Sequence, residues 1–204
     1  HLGTMSAVLI RFREEFLKAL QNPSTQMARV LIISTIGTGI TGIPLYFLFR
    51  EGFKGGMQAT VLIGALLILT GLLLRIRGTG ARRIQDMNAL DMIILGLVQG
   101  FSILPGISRS GTTLAALLMR NLKQDEALAI SFIISVPAAL GALALNHSHS
   151  LAEMPLASAC LAILASFVAG YMTMDLLIAY AKKVNFSAFC ITMGLLTLLA
   201  VAIF

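Results

Sequence analysis

Apolar residues along this chain come in long runs separated by short polar stretches. The runs cover roughly 28–49, 57–76, 89–120, 128–146 and 156–181, with a sixth at 186–204. A membrane-spanning helix needs about 20 such residues. The pattern therefore predicts an all-α integral membrane protein, a multi-helix bundle forming a single transmembrane domain over 1–204. Residues 11–18, Arg-Phe-Arg-Glu-Glu-Phe-Leu-Lys, are charged and amphipathic. They predict an interfacial helix, and with no small-residue cleavage site beyond them they do not read as a signal peptide.

The polar interruptions assign sides. Basic residues cluster at Arg75, Arg77, Arg82 and Arg83, at Arg11, Arg13, Lys18 and Arg29, and at Lys182 with Lys183, whereas 147–155 holds no Lys or Arg. By the positive-inside rule the clusters are cytoplasmic and 147–155 is external. Run 28–49 then goes out and 57–76 returns. Run 128–146 goes out and 156–181 comes back to Lys182. Arg120 and Lys123 fall inside, so 89–120 must start and end on one side. Its halves, 89–104 and 108–120, are each short for a core of about 30 Å at about 1.5 Å per residue. Pro105-Gly106 breaks them apart. The expectation is a re-entrant helical hairpin at about 89–120 with its tip at Pro105–Thr113. Arg50 and Lys54, in a loop read as external, run against the charge bias.

Composition agrees with a membrane protein. Of 204 residues 57% are hydrophobic and 12% charged, and mean hydropathy is +0.90. Soluble domains carry about 25% charged residues, and the length leaves no room for a useful soluble domain. The net charge of +6 sits in the short loops, so it reports topology; no aromatic-basic surface or nucleic-acid module is present. Cys160 and Cys190 lie in apolar segments without metal-ligand spacing and read as buried packing residues.

Chemistry concentrates at the hairpin tip, Pro-Gly-Ile-Ser-Arg-Ser-Gly-Thr-Thr over 105–113. Arg109 has Ile94, Leu95, Leu97 and Val98 before it and Leu114, Leu117 and Leu118 after it. An ionisable residue at membrane depth costs roughly 2.5–3.5 kcal/mol on insertion scales and marks a functional site by default. Broken backbone at that depth survives only against protein or a watery cavity. A second helix starting near Ser108 to Ser110 would aim free N–H groups and a positive dipole end inward, as an anion site. Arg109 adds a planar, multi-donor cation suited to phosphate oxygens. Arg109, Ser108 and Ser110 are the candidate catalytic residues. Thr112 and Thr113 add donors, and Gly106 and Gly111 allow close backbone approach. The tip predicts a bound phosphate or diphosphate headgroup with its lipid tail between helices.

Plainer readings stand beside these. Arg109 could pair with a buried carboxylate while the hydroxyls cap a helix; Asp175 is read as the only acidic residue inside a long apolar run. Gln99 either faces the site, orienting a water or phosphate, or makes an interhelical hydrogen bond. Gly96 and Gly100 read as close packing. His147 and His149 read as a solvated loop ahead of a metal site, and Glu14 with Glu15 as a solvated face. Thr35–Ile40 weakly echoes Ser135–Leu140, as in inverted-repeat membrane proteins.

The stretch Gln99–Thr113 resembles the second signature of the bacitracin-resistance-type undecaprenyl-diphosphate phosphatases. It matches every fixed position of Pro-Gly-x-Ser-Arg-Ser-x-x-Thr. Ser131–Pro137 is similar to a further run of that family, and His1-Leu2-Gly3-Thr4 to the stretch before its first basic loop. The resemblance covers essentially the whole chain. It implies hydrolysis of a C55 polyprenyl diphosphate to the monophosphate plus phosphate, which recycles the lipid carrier for cell-wall synthesis and gives bacitracin resistance. It also implies an inverted repeat with two re-entrant hairpins, a divalent cation (Mg or Ca), and a location in the cell (inner or plasma) membrane. Arg109 would be the essential arginine, with Ser108, Ser110 and Thr113 at other signature positions. The family's first signature, two glutamates four apart and then Pro-x-Ser-Ser-Thr-Gly-His, does not occur here. Residues 1–27 are too short and too charged to hold its hairpin. The expectation is an N-terminally truncated form lacking the metal ligands, with weak or no turnover. The alternative function is a non-enzymatic polyprenyl-phosphate translocase or carrier. The expected partners are the polyprenyl diphosphate and the bilayer, and a homodimer is left open.

Overall fold

The computed structural model describes residues 2–50, 57–73, 75, 80–104, 107–145, 156–180 and 186–203. These form α1 (Leu2–Arg11), α2 (Arg13–Gln21), α3 (Gln26–Arg50), α4 (Met57–Leu73), α5 (Ala89–Gly100), α6 (Arg109–Met119), α7 (Gln124–Leu145), α8 (Leu156–Tyr180) and α9 (Phe186–Ile203). Short 3₁₀ turns occupy Ile84–Asp86 and Phe101–Ile103. The only β pairing among the described residues is an isolated bridge between Arg82 and Leu122. Gln26–Leu48, Gln124–Leu145 and Ala157–Leu176 are long and apolar enough to cross a bilayer. The fold is all-α and of membrane type, as the apolar runs require.

Close helix contacts give the directions. Ser34 Oγ donates to the Met92 carbonyl (3.1 Å), Thr38 Oγ1 to that of Gly96 (3.2 Å) and Thr41 Oγ1 to that of Leu97 (2.9 Å). The partners advance together, so α3 and α5 run parallel and enter from one side. Their backbones touch: a Cβ on Gly96 would lie 2.4 Å from the Ser34 carbonyl oxygen. Small residues and interhelical hydroxyl bonds are the usual means of close packing where lipid supplies no hydrophobic drive. Gly96 and Gly100 are therefore packing residues. The contacts of Gly64 with Gly194 and Leu198, and of Gly71 with Ser187 and Ile191, make α4 and α9 antiparallel.

α5 and α6 return to one base. α5 starts with a capping box: Asn88 Oδ1 accepts from Asp91 N–H (2.9 Å), and the Asp91 carboxylate accepts from Asn88 N–H (3.0 Å). At the far end of α6, Asn121 takes a left-handed φ of 66°. Asn121 N–H bonds to the Leu118 carbonyl and Leu122 N–H to that of Leu117, a Schellman stop. Arg120, at that stop, donates to Asp91 at the start of α5. Start and stop thus meet, which is the re-entrant hairpin.

Asp91 corrects one expectation. Asp175 is not the only acidic residue in an apolar run; Asp91 lies in 89–120, 1% exposed, bound by Arg120 and by Arg82 at 2.6 Å. Arg82 is held above its ordinary pKa, chiefly by this hydrogen bond. The N-terminal stretch also differs from expectation. Residues 2–11 form a packed apolar helix parallel to α8, with Ala7 fully buried and a Cβ on Gly3 only 2.3 Å from the Ile163 carbonyl oxygen. Its last residue, Arg11, holds Asp175 at 2.6 Å. The charged helix begins after it, as α2. Cys190 is buried, but Cys160 is exposed on α8; that helix buries little beyond the face α1 covers, so the residue is not a packing one. His147 and His149 lie outside the described residues. The mutually echoing stretches 35–40 and 135–140 lie within α3 and α7.

Candidate functional site

The second hairpin helix starts at Arg109 because Ser108 caps it. Ser108 is extended (φ −70°, ψ 113°) and its Oγ accepts from Gly111 N–H at 3.2 Å. The cap leaves the first-turn N–H groups of Arg109 and Ser110 unused by the helix, on the positive end of its dipole. Ser110 is exposed, Ser108 is half-buried, and their hydroxyls lie 3.4 Å apart.

Arg109 projects from this turn into a cavity of about 200 Å³. Thr4 and Val8 of α1, Phe132 and Ser135 of α7, and Gly170 and Thr173 of α8 share the lining. The guanidinium donates to the Ser135 carbonyl at 3.3 Å, a long and weak bond. Among the described residues it has no carboxylate partner. Asp175, the carboxylate considered for it, is held by Arg11, and Asp91 by Arg82 and Arg120. The cation is thus half-buried in a cavity with donors to spare, an arrangement matched to an anion with several oxygens.

The other candidates divide between the tip and its supports. Thr112 Oγ1 donates back to the Ser108 carbonyl (3.0 Å). Thr113 is fully buried and pairs with Ser131 Oγ across the α6–α7 seam at 2.6 Å. The space beside Gly111 is filled from α4, since a Cβ there would lie 2.7 Å from Thr70 Cγ2. Gln99, 1% exposed, donates through Nε2 to Thr38 Oγ1 (3.1 Å) and the Ile134 carbonyl (3.3 Å). It makes the interhelical bonds, and its Oε1 has no partner. Gly106 lies outside the described residues. Arg109, Ser108 and Ser110 are therefore brought together, while Thr113, Gly111 and Gln99 join the hairpin to α7, α4 and α3.

Among the described residues no three His, Cys, Asp or Glu side chains gather where a metal could be held. The tip itself carries a cation and hydroxyls, a donor set that does not fit a divalent cation. Sequence reasoning missed Asp91 and the α1 wall of the cavity. Asp91 carried a signal: an Asn three residues before an Asp, ahead of an apolar run, is a capping-box pattern. α1 carried none, because its partner α8 lies more than 150 positions away in sequence.

An arginine at a capped helix start, facing a cavity inside an all-helical bundle of membrane type, is an arrangement suited to an anionic group. The chain belongs to the family described as bacitracin resistance protein BacA, whose model matches residues 1–199. It is 54% identical to a protein of Methanothrix thermoacetophila named undecaprenyl-diphosphatase, across 100% of this chain and 79% of that protein. Proteins of the same name from Methanopyrus kandleri and Methanococcoides burtonii are 38% and 36% identical, each across 98% of this chain and 78% and 80% of their own lengths.

Proposed function

We infer that this protein is an undecaprenyl-diphosphatase of the cell (plasma) membrane. It hydrolyses a C55 polyprenyl diphosphate to the monophosphate and inorganic phosphate, returning the lipid carrier to cell-wall synthesis and giving bacitracin resistance. The observation that carries the reading is Arg109: half-buried at the start of α6, without a carboxylate among the described residues, and open to a cavity between helices. In the reaction, water adds its oxygen to the terminal phosphorus. The bond from that phosphorus to the bridging oxygen breaks, and the bridging oxygen leaves on the monophosphate. Negative charge grows on the oxygens of the transferred group and on the bridging oxygen. Arg109 and the N–H groups of Arg109 and Ser110 are fixed donors for that charge, which need not reorganise as it develops. Ser108 and Ser110 add hydroxyl donors beside it; the Ser108 oxygen is already engaged as the cap, so Ser110 is the freer of the two.

The test is phosphate release from a C15 or C55 prenyl diphosphate by the detergent-solubilised protein, with Mg²⁺ or Ca²⁺ supplied because the family resemblance implies one. Release, however weak, that disappears in Arg109→Ala is expected. A second reading, a carrier that binds the lipid without cleaving it, is favoured by the engagement of Asp91 and Asp175 elsewhere. Retained, Arg109-dependent binding of the diphosphate with no phosphate release would decide for it.

A further inference from the structure

We propose that Gln99 is a positioning residue: its buried amide pins the turn of α7 before Pro137, and that turn is the seat from which Arg109 meets the diphosphate. The proposal rests on the reading of Arg109 above and concerns what holds it.

Pro137 lies inside α7. It has no N–H to close onto the Ile133 carbonyl, and its ring crowds that carbonyl. Proline is a place where helices kink, and side chains bonded to the neighbouring carbonyls fix the angle that the turn takes. Here the next two carbonyls each receive a side chain from the hairpin: Ile134 accepts from Gln99 Nε2 and Ser135 from Arg109, both at 3.3 Å. One turn earlier Ser131 meets Thr113 at 2.6 Å. Both arms of the hairpin thus reach one stretch of α7, and the Arg109 contact, which alone of the three faces the cavity, is the one a phosphate can replace.

The orientation of the Gln99 amide follows from its partners. The Ile134 carbonyl only accepts, so the nitrogen must face it, and Oε1 is left as a buried acceptor without a donor. Such a group keeps its full desolvation penalty with no bond to offset it. An apolar residue of like size would avoid that cost, so the gain lies on the donor side, with Thr38 of α3 and Ile134 of α7. Gln99 joins three helices at the level of the seat and leaves the cavity to Arg109.

The experiment uses the full chain in detergent, with farnesyl diphosphate as the binding probe and thermal unfolding measured in parallel. Gln99→Leu is expected to weaken binding about tenfold. Pro137→Ala restores the missing N–H and makes the turn self-supporting, so in that background Gln99→Leu is expected to change binding less than about threefold. A Gln99 that touched the ligand would lose the same affinity in both backgrounds, and that result overturns the proposal, as does wild-type affinity in Gln99→Leu alone. Should Gln99→Leu not fold, Gln99→Met in the two backgrounds gives the same comparison. Loss of binding in Arg109→Ala must accompany these results. An Arg109→Ala protein that binds as well as the parent would sink the phosphate-site reading itself, a failure distinct from an unchanged Gln99 variant.

Discussion

Arg109 and Gly111 sit two residues apart, yet their substitutions should fail for different reasons. Arg109→Lys keeps the charge but replaces a planar fork with a single ammonium. It should lower the rate of phosphate release about tenfold, against the hundredfold or greater loss expected of Arg109→Ala, where the fixed donor is gone. Rates measured under saturating prenyl diphosphate separate the two. Gly111→Ala adds one methyl at a point 2.7 Å from Thr70 Cγ2. Overpacking of this kind costs about 1–3 kcal/mol. The remedy is equally local: Thr70→Ser removes the obstructing methyl and keeps the hydroxyl that donates to the Leu66 carbonyl. The double variant should recover most of the lost melting temperature, and no recovery would mean that the clash is with Ser108 instead.

The hairpin as an element was legible from two features, side counting from the basic loops and the Pro105-Gly106 break. Neither depends on distant contacts. Its base was not legible, because Asp91 sits among Leu90, Met92, Ile93 and Ile94 and its two arginines come from different segments. The assignments of Thr113 and Gln99 were equally hidden, since a hydroxyl or amide near a tip looks the same in sequence whether it faces a ligand or a neighbouring helix. Only the rotation of α6 and of α5 against α7 decides. The clamp at the base makes its own prediction. Asp91 has no exposed side-chain surface, and Arg82 and Arg120 are 27% and 34% exposed. Breaking a buried ion pair by removing one partner costs about 3–5 kcal/mol; the partial exposure of the arginines puts Asp91→Asn at the lower end. Asn keeps the shape and the cap, so a melting temperature within a degree of the parent would show that the charge pairing contributes nothing.

At the scale of the whole molecule, three parallel relationships fix how the chain sits in a bilayer. α3 and α5 run together from Gln26 and Ala89. α3 and α7 also run together, since Tyr46 OH reaches the Leu145 carbonyl near both far ends (3.4 Å) while Gln26 and Ile130 line one cavity near the other. α1 and α8 descend together to Arg11 and Asp175. Phe12 shares a cavity with Gln26, Ile84 and Glu126, so Asn88 and Lys123, at the two ends of the hairpin, face the same compartment as Arg11, and Ala144 the opposite one. A single membrane crossing over 89–120 would instead separate Asn88 from Lys123. In oriented vesicles, with Cys160 and Cys190 replaced, a membrane-impermeant thiol reagent applied from one side should label Asn88→Cys and Lys123→Cys together. Ala144→Cys should be labelled only from the other side. Ser110→Cys should react with a small charged reagent far more slowly than either base position, and prenyl diphosphate should slow it further, because the tip lies at depth beside Arg109. Labelling of Asn88→Cys and Lys123→Cys from opposite faces would remove the re-entrant hairpin, and with it the reason for a helix start and an arginine to meet inside the membrane.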